Sequence, residues 1–213
     1  MQHVSFSALK NWNQCPYYYK ITYVDKIKKF VGNHYTAFGT AVHEVCEKRI
    51  EDDSITNEPE LFELAFLKEL KSLPEEVRST FKPKDISDMR EQGKRLSTVA
   101  IPALREHFGE LELVSTEEDI YESIEGFEDY NFKGFIDLVI KTPDGKFHVI
   151  DWKTCSWGWN MQRKSDPMTT YQLTYYKHYY SRKHNVPMED IETHFGLLKR
   201  TAKKDQVEIF RVT

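Results

Sequence analysis

The stretch GFIDLVIKTPDGKFHVIDWKT, residues 134–154, holds two apolar runs around a short polar turn. Two Asp-x-Lys tripeptides fall inside it, Asp144-Gly145-Lys146 and Asp151-Trp152-Lys153. A chain this rich in Asp and Lys produces about one such tripeptide by chance, so neither is informative alone. Turn chemistry separates them. Pro143 and Asp144 suit the two central positions of a type I turn, and Gly145 suits a left-handed bulge, which makes a three-residue hairpin loop. Thr142 then pairs with Lys146. Counting back along both strands sets Asp137 opposite Asp151, with Cβ atoms ~5 Å apart on one face, and Lys153 points to that face too. A two-residue Asp-Gly turn would slip the pairing by one and send the aspartates to opposite faces. The three-residue loop is preferred because it uses Pro143 as well as Gly145. The upstream tripeptide is therefore the turn, and the downstream one is the candidate site.

Two carboxylates that close repel one another unless a cation lies between them, and with water and phosphate oxygens they make a good Mg²⁺ site. The competing reading is two ordinary strand-end acids paired with lysines.

Outward from the hairpin, both runs are apolar on both faces, as in central strands covered by helices. LELVSTEEDIYESI (111–124) precedes them as a further strand, and ETHFGLLKRT (192–201) and QVEIFRV (206–212) follow. TTYQLTYYKHYYSRKH (169–184) reads as a Tyr-rich helix. Upstream, Ser5 or Ser7 can cap a helix carrying Leu9 and Trp12, and Pro16 suits the first turn of another. Val42, Val45, Cys46 and Ile50 recur at helical spacing in a third, from about Phe38 to Asp52. LFELAFLKEL gives a fourth, and residues 86–108 a fifth, kinked at Pro102 and stopped at Gly109. The pattern predicts an α/β or α+β fold, a sheet with helices against it.

The 213 residues suffice for one core without disulfides. No repeat or linker divides them, so one domain is expected over residues 1–213, mainly helical over 1–109 and sheet-bearing over 110–213. No apolar run approaches the ~20 residues of a membrane span, and MQHVSFSALK does not read as a signal peptide. Three widely spaced cysteines, Cys15, Cys46 and Cys155, fit a reducing cytoplasm rather than a disulfide framework. Membrane association is not expected. The net charge of −4 divides into −8 before Asp151 and +4 from Asp151 onward. Acidic metal ligands count against such a sum, so it neither supports nor excludes DNA binding.

Four blocks resemble the RecB-type exonuclease branch of the PD-(D/E)XK nuclease superfamily, in that family's order. They are SFSALKNWNQCPYYYK, FGTAVHEV, GFIDLVI with VIDWKT, and YQLTYY. The resemblance implies a restriction-endonuclease-like mixed sheet flanked by helices, with an N-terminal helical elaboration. It implies a Mg²⁺ or Mn²⁺ ion held by His43, Asp137, Asp151 and the backbone carbonyl of Trp152. Asp137, Asp151 and Lys153 would be the catalytic set, with Lys153 acting on the attacking water. Gln172 and Tyr176, at i and i+4 on one helix face, would lie beside the site near the substrate strand. Without this context, His43 among valines reads as a core histidine, and the tyrosines, Tyr175, Tyr179 and Tyr180 especially, as packing.

The loop CSWGWNMQRK offers Trp157, Trp159, Arg163 and Lys164, which could stack on bases and hold phosphates or could equally cover the core. Some similar proteins bind an iron-sulfur cluster through four cysteines. Three thiols cannot build that site, so no iron-sulfur cluster is expected and Cys15 reads as a buried structural residue. The expected activity is a metal-dependent deoxyribonuclease, an exonuclease on single strands or duplex ends. The alternatives are an endonuclease on the same core and a noncatalytic DNA-binding or assembly subunit. Protein partners are not legible.

Overall fold

A computed structural model describes residues 2–27 and 31–212. Ser5 ends a short strand, β1 (Gln2–Ser5), and its hydroxyl accepts from the Ala8 amide to start α1 (Phe6–Gln14). Pro16 opens α2 (Pro16–Tyr19), which runs into a π-helical turn over Lys20–Val24. Asn33 caps α3 (His34–Glu51) in a capping box with Thr36. Then come α4 (Glu58–Ser72), α5 (Glu75–Arg78) and α6 (Pro83–Phe108). The last runs continuously through Pro102 and ends at Gly109, whose φ is 72°.

The sheet follows, with β2 (Glu112–Ile124), β3 (Phe127–Lys141) and β4 (Phe147–Cys155) as a meander. After α7 (Met161–Lys164) and α8 (Pro167–His184), β5 (Ile191–Lys199) and β6 (Val207–Val212) complete it. The strands join as β1-β3-β4-β5-β6, with β2 also on β3. β1–β3 and β4–β5 are parallel, and the other pairs are antiparallel. This is the mixed sheet flanked by helices that the sequence predicts. The 3.6 and 2.0 periods sort the side chains into two layers. Phe38, Phe62, Leu96, Leu104, Ile140, Ile150 and Trp152 pack under α3, α4 and α6. Ile136, Val139, Val149, Phe195 and Leu197 pack under Leu173, Tyr179 and Tyr180 of α8 on the other face. No described helix is long and apolar enough to cross a membrane.

The hairpin follows the three-residue reading. The Thr142 amide donates to the Lys146 carbonyl at 3.0 Å, the Gly145 amide donates to the Thr142 carbonyl at 2.9 Å, and Gly145 has φ 87°, a value that a residue with a Cβ adopts only with strain. Leu138 pairs with Ile150 and Ile140 with His148, the register of the three-residue loop, and the ladder ends one pair short of Asp137 and Asp151.

Two features were not legible in the sequence. β1 is four residues long, and it lies parallel to β3 over Tyr130–Lys133. β2 occupies the other edge of β3 along nearly its whole length, so β1 and β4 share one edge and leave residues 134–137 between them without a strand partner. Cys15 departs from the reading as a buried residue. It is exposed, and its Sγ accepts the Tyr18 amide at 3.4 Å at the start of α2. The exposure follows from its place between two short helices on the surface, where its work is capping rather than packing.

Candidate active site

The interruption in β3 builds the site. Where the ladder to β4 stops, the freed Trp152 amide donates to Asp137 Oδ2 at 2.7 Å, and the Tyr176 ring lies against Gly134. A side chain thus takes the bond that a neighbouring strand would have made, as buried backbone groups require. Gly134 is the reason Tyr176 can come so near, since a Cβ there would sit 2.6 Å from the tyrosine ring.

Asp151, 2% exposed, is held from both sides. Gln172 Nε2 donates to its Oδ1 at 2.9 Å and also to Tyr176 Oη at 3.0 Å. Lys153 Nζ lies 2.6 Å from its Oδ2, an oxygen that receives no well-aligned hydrogen bond among the described residues. His43 comes from α3, in the opposite layer, to put Nδ1 3.5 Å from Asp137 Oδ2. Each aspartate therefore has its own cationic neighbour, and the donor atoms of His43, Asp137 and Asp151 do not all converge within 4.8 Å of one another.

The charges are strongly coupled. Burial works against ionised Asp137, yet His43, Lys153 and the Trp152 amide hold its carboxyl below the usual range. Burial pushes Asp151 up to about 6 against the pull of Lys153, with the Asp137 charge adding to the rise. Burial likewise opposes the charged forms of Lys153 and His43. The Asp151 and Asp137 carboxylates outweigh it for Lys153, and Asp137 outweighs it for His43, so both pKa values are raised.

Two acids that sequence reading missed border the same cleft, Glu47 and Glu117, which line it with His43, Cys46 and Asp137. Both carboxyls are pushed up by burial, then by neighbouring acids. Glu47 is one helical turn after His43, a spacing present in HEVCE. Glu117 faces Asp137 across β2 and β3, and it holds φ at 45°, a conformation a non-glycine residue adopts only under local constraint. Nothing in STEEDI marks that kink.

The aromatic loop divides. Trp157 is 72% exposed, whereas Trp159 is 9% exposed and packs on Phe195 and Phe210, with the Arg163 guanidinium 4.4 Å above its ring. Trp159 is core, which corrects its reading as a base-stacking surface. Its flat apolar area is worth more inside the α8-side core than in water. Lys164 pairs with Glu208 and lies over Phe210. Arg163 opens, with Lys10, Asn160 and Gln162, onto a groove of about 830 Å³. A second groove, about 300 Å³, runs along the unpaired β3 edge past His3, Ser5, Lys133, Gln172 and Tyr176.

The donors at this centre, one imidazole, the buried Asp151 and the half-buried Asp137 beside an ammonium, suit a hard or borderline divalent ion. Residues 3–211 match the family model of the PD-(D/E)XK nuclease superfamily. The chain is also similar to a solved structure of a candidate exonuclease from Eubacterium rectale. That likeness has 11% identity and a TM-score of 0.65, and covers 100% of this chain and 73% of the other. A solved structure of SSO0001 aligns at 17% identity over 81% of this chain and 75% of that one, at a TM-score of 0.37, too low to carry an argument. No curated protein matches the sequence.

Proposed function

The chain belongs to the PD-(D/E)XK nuclease superfamily, and from that premise we propose that it hydrolyses DNA phosphodiester bonds with Mg²⁺ or Mn²⁺, acting on single strands or duplex ends. The observation that carries this reading is the juxtaposition of Asp137, Asp151 and Lys153 at the interrupted edge of β3, with His43 and Gln172 against the two carboxylates.

His43, Asp137, Asp151 and the Trp152 carbonyl would hold the metal. A bound divalent ion supplies Lewis acidity to the phosphoryl oxygen and lowers the pKa of water. The remaining work falls to the protein. Lys153, kept charged by two carboxylates, offers an ammonium to the negative charge that grows on the phosphoryl group. Gln172 fixes the rotamer of Asp151 through one oxygen and leaves the other facing the site. Tyr176 is the second anchor of that amide. The two open grooves, with Lys10, Lys133 and Arg163 on their walls, supply cationic contacts of the kind a phosphate backbone uses. Exposed Trp157 offers a face for base stacking. The likeness to a candidate exonuclease favours action at ends.

The test is incubation with end-labelled single-stranded, linear duplex and closed circular DNA, and with RNA, in Mg²⁺, Mn²⁺ or chelator. Mononucleotide or short-oligonucleotide release from linear substrates, abolished by chelator, is expected. Cleavage of closed circles at the same rate would make it an endonuclease, and DNA binding without cleavage in either metal would make it a binding subunit.

A further inference from the structure

On the other face of the sheet, three residues upstream of Asp151 on the same strand, two histidines and a glutamate meet. His148 pairs in register with Glu192, and Ile150 with His194, so the period of two puts all three side chains on the α6 face. His148 Nδ1 and His194 Nε2 are 3.1 Å apart, and Glu192 Oε2 is 3.8 Å from each. In the plane of these three atoms, the point equidistant from them lies about 2.1 Å from each, the shortest equal separation they allow and close to the Zn–N distance.

Proton counting sharpens the geometry. The Thr142 hydroxyl lies 2.5 Å from Asp144 Oδ1 and 2.9 Å from His148 Nε2. A carboxylate can only accept, so the single hydroxyl proton goes to Asp144 and the imidazole must carry its proton on Nε2. In neutral His148 that leaves a lone pair on Nδ1, aimed at His194 and Glu192. Arg211 Nη1 takes the other Glu192 oxygen at 2.8 Å, which turns Oε2 inward. One N–H on His194 can satisfy either the Nδ1 lone pair or the carboxylate oxygen, but not both; a cation takes all three. The surroundings resemble the shell of a metal site. Thr142 orients one ligand and Arg211 another, while the Phe108 ring covers both imidazoles at 4.7 and 5.1 Å between centroids.

We infer that His148, Glu192 and His194 form a second metal site, separate from the Asp137–Asp151 centre, for Zn²⁺ or a similar nitrogen-preferring divalent ion. Two imidazoles and one carboxylate are a zinc donor set, with a fourth position left for water. The site joins β4 to β5 beneath the end of α6 and takes no part in the cleavage chemistry. It therefore stands whether or not the nuclease reading does.

The test uses the full chain, stripped with chelator and titrated with Zn²⁺ while the histidine ring nitrogens are followed by long-range ¹H–¹⁵N NMR. One equivalent should move His148 Nδ1 and His194 Nε2 as ligated nitrogens. Glu192→Gln should weaken that binding at least tenfold and leave Mg²⁺-supported cleavage unchanged, and Asp151→Asn should leave the zinc titration of these two rings intact. Ring signals of wild type that do not respond to Zn²⁺ would overturn the inference. So would a response lost in Asp151→Asn but kept in Glu192→Gln.

Discussion

The Trp152 amide is bound by the Asp137 carboxylate rather than by a strand, so this aspartate holds the sheet together at the point where it is proposed to hold a metal. The two roles separate by substitution. Asp137→Asn keeps an acceptor for the amide and loses the charge; Asp137→Ala loses both. The alanine variant should be destabilised by ~1–3 kcal/mol in chemical denaturation. The asparagine variant should unfold close to wild type, with cleavage reduced by ~100-fold or more. Equal stability of the two variants would remove the capping role.

Lys153→Ala should cost ~3 kcal/mol or more of transition-state stabilisation, about 100-fold in turnover, measured on end-labelled DNA. It should also leave Asp151 without its nearest cation, so the Asp151 carboxyl, already up at about 6, should titrate higher still. Carboxyl ¹³C NMR reads that shift independently of activity. Turnover within tenfold of wild type would eliminate the lysine from the chemistry.

Gly134→Ala brings a methyl group within 2.6 Å of the Tyr176 ring. The ring is buried and cannot swing freely, so a loss of ~1–3 kcal/mol is expected, together with weaker DNA binding as Gln172 loses its second anchor. Combining it with Tyr176→Leu, which removes the rigid ring, should restore stability but not DNA binding.

Stability in chelator should depend on pH through His194. Burial, then the charges of His148, His107 and Arg211, lower its pKa to about 3, against about 6.5 in the unfolded chain. Between those values the unfolded chain carries the extra proton, so stability rises with pH. The contribution is fully present above about pH 6.5 and is lost as pH falls towards 3. Unfolding curves of wild type and His194→Gln should therefore converge on acidification. A pH-independent gap would mean that His194 titrates alike in the folded and unfolded chain.

The hairpin was readable because Pro143, Asp144 and Gly145 leave little choice of turn, and one register then follows for every residue behind it. α3 and α6 were readable from helical spacing, with their true starts a few residues earlier at His34 and Pro83. β1 was not, because four residues of mixed polarity carry no period, and with it went the gap in β3 that depends on non-local pairing. Glu117 and the His148–Glu192–His194 group escaped for the same reason: distance across the sheet is not written in spacing along the chain. Trp159 escaped differently, since an indole in a glycine-bearing loop has the same sequence signature whether it faces solvent or core.

An open strand edge is ordinarily a hazard, because its free amides and carbonyls recruit strands from other molecules. Over residues 134–137 the hazard is contained. The opening is four residues long, bounded by β1 on one side and β4 on the other, with the Tyr176 ring set against Gly134 and the Asp137 carboxylate already on the facing Trp152 amide. A foreign strand finds neither the length nor the free partners to dock, so the site can stay accessible to a polynucleotide without inviting the protein to aggregate through it.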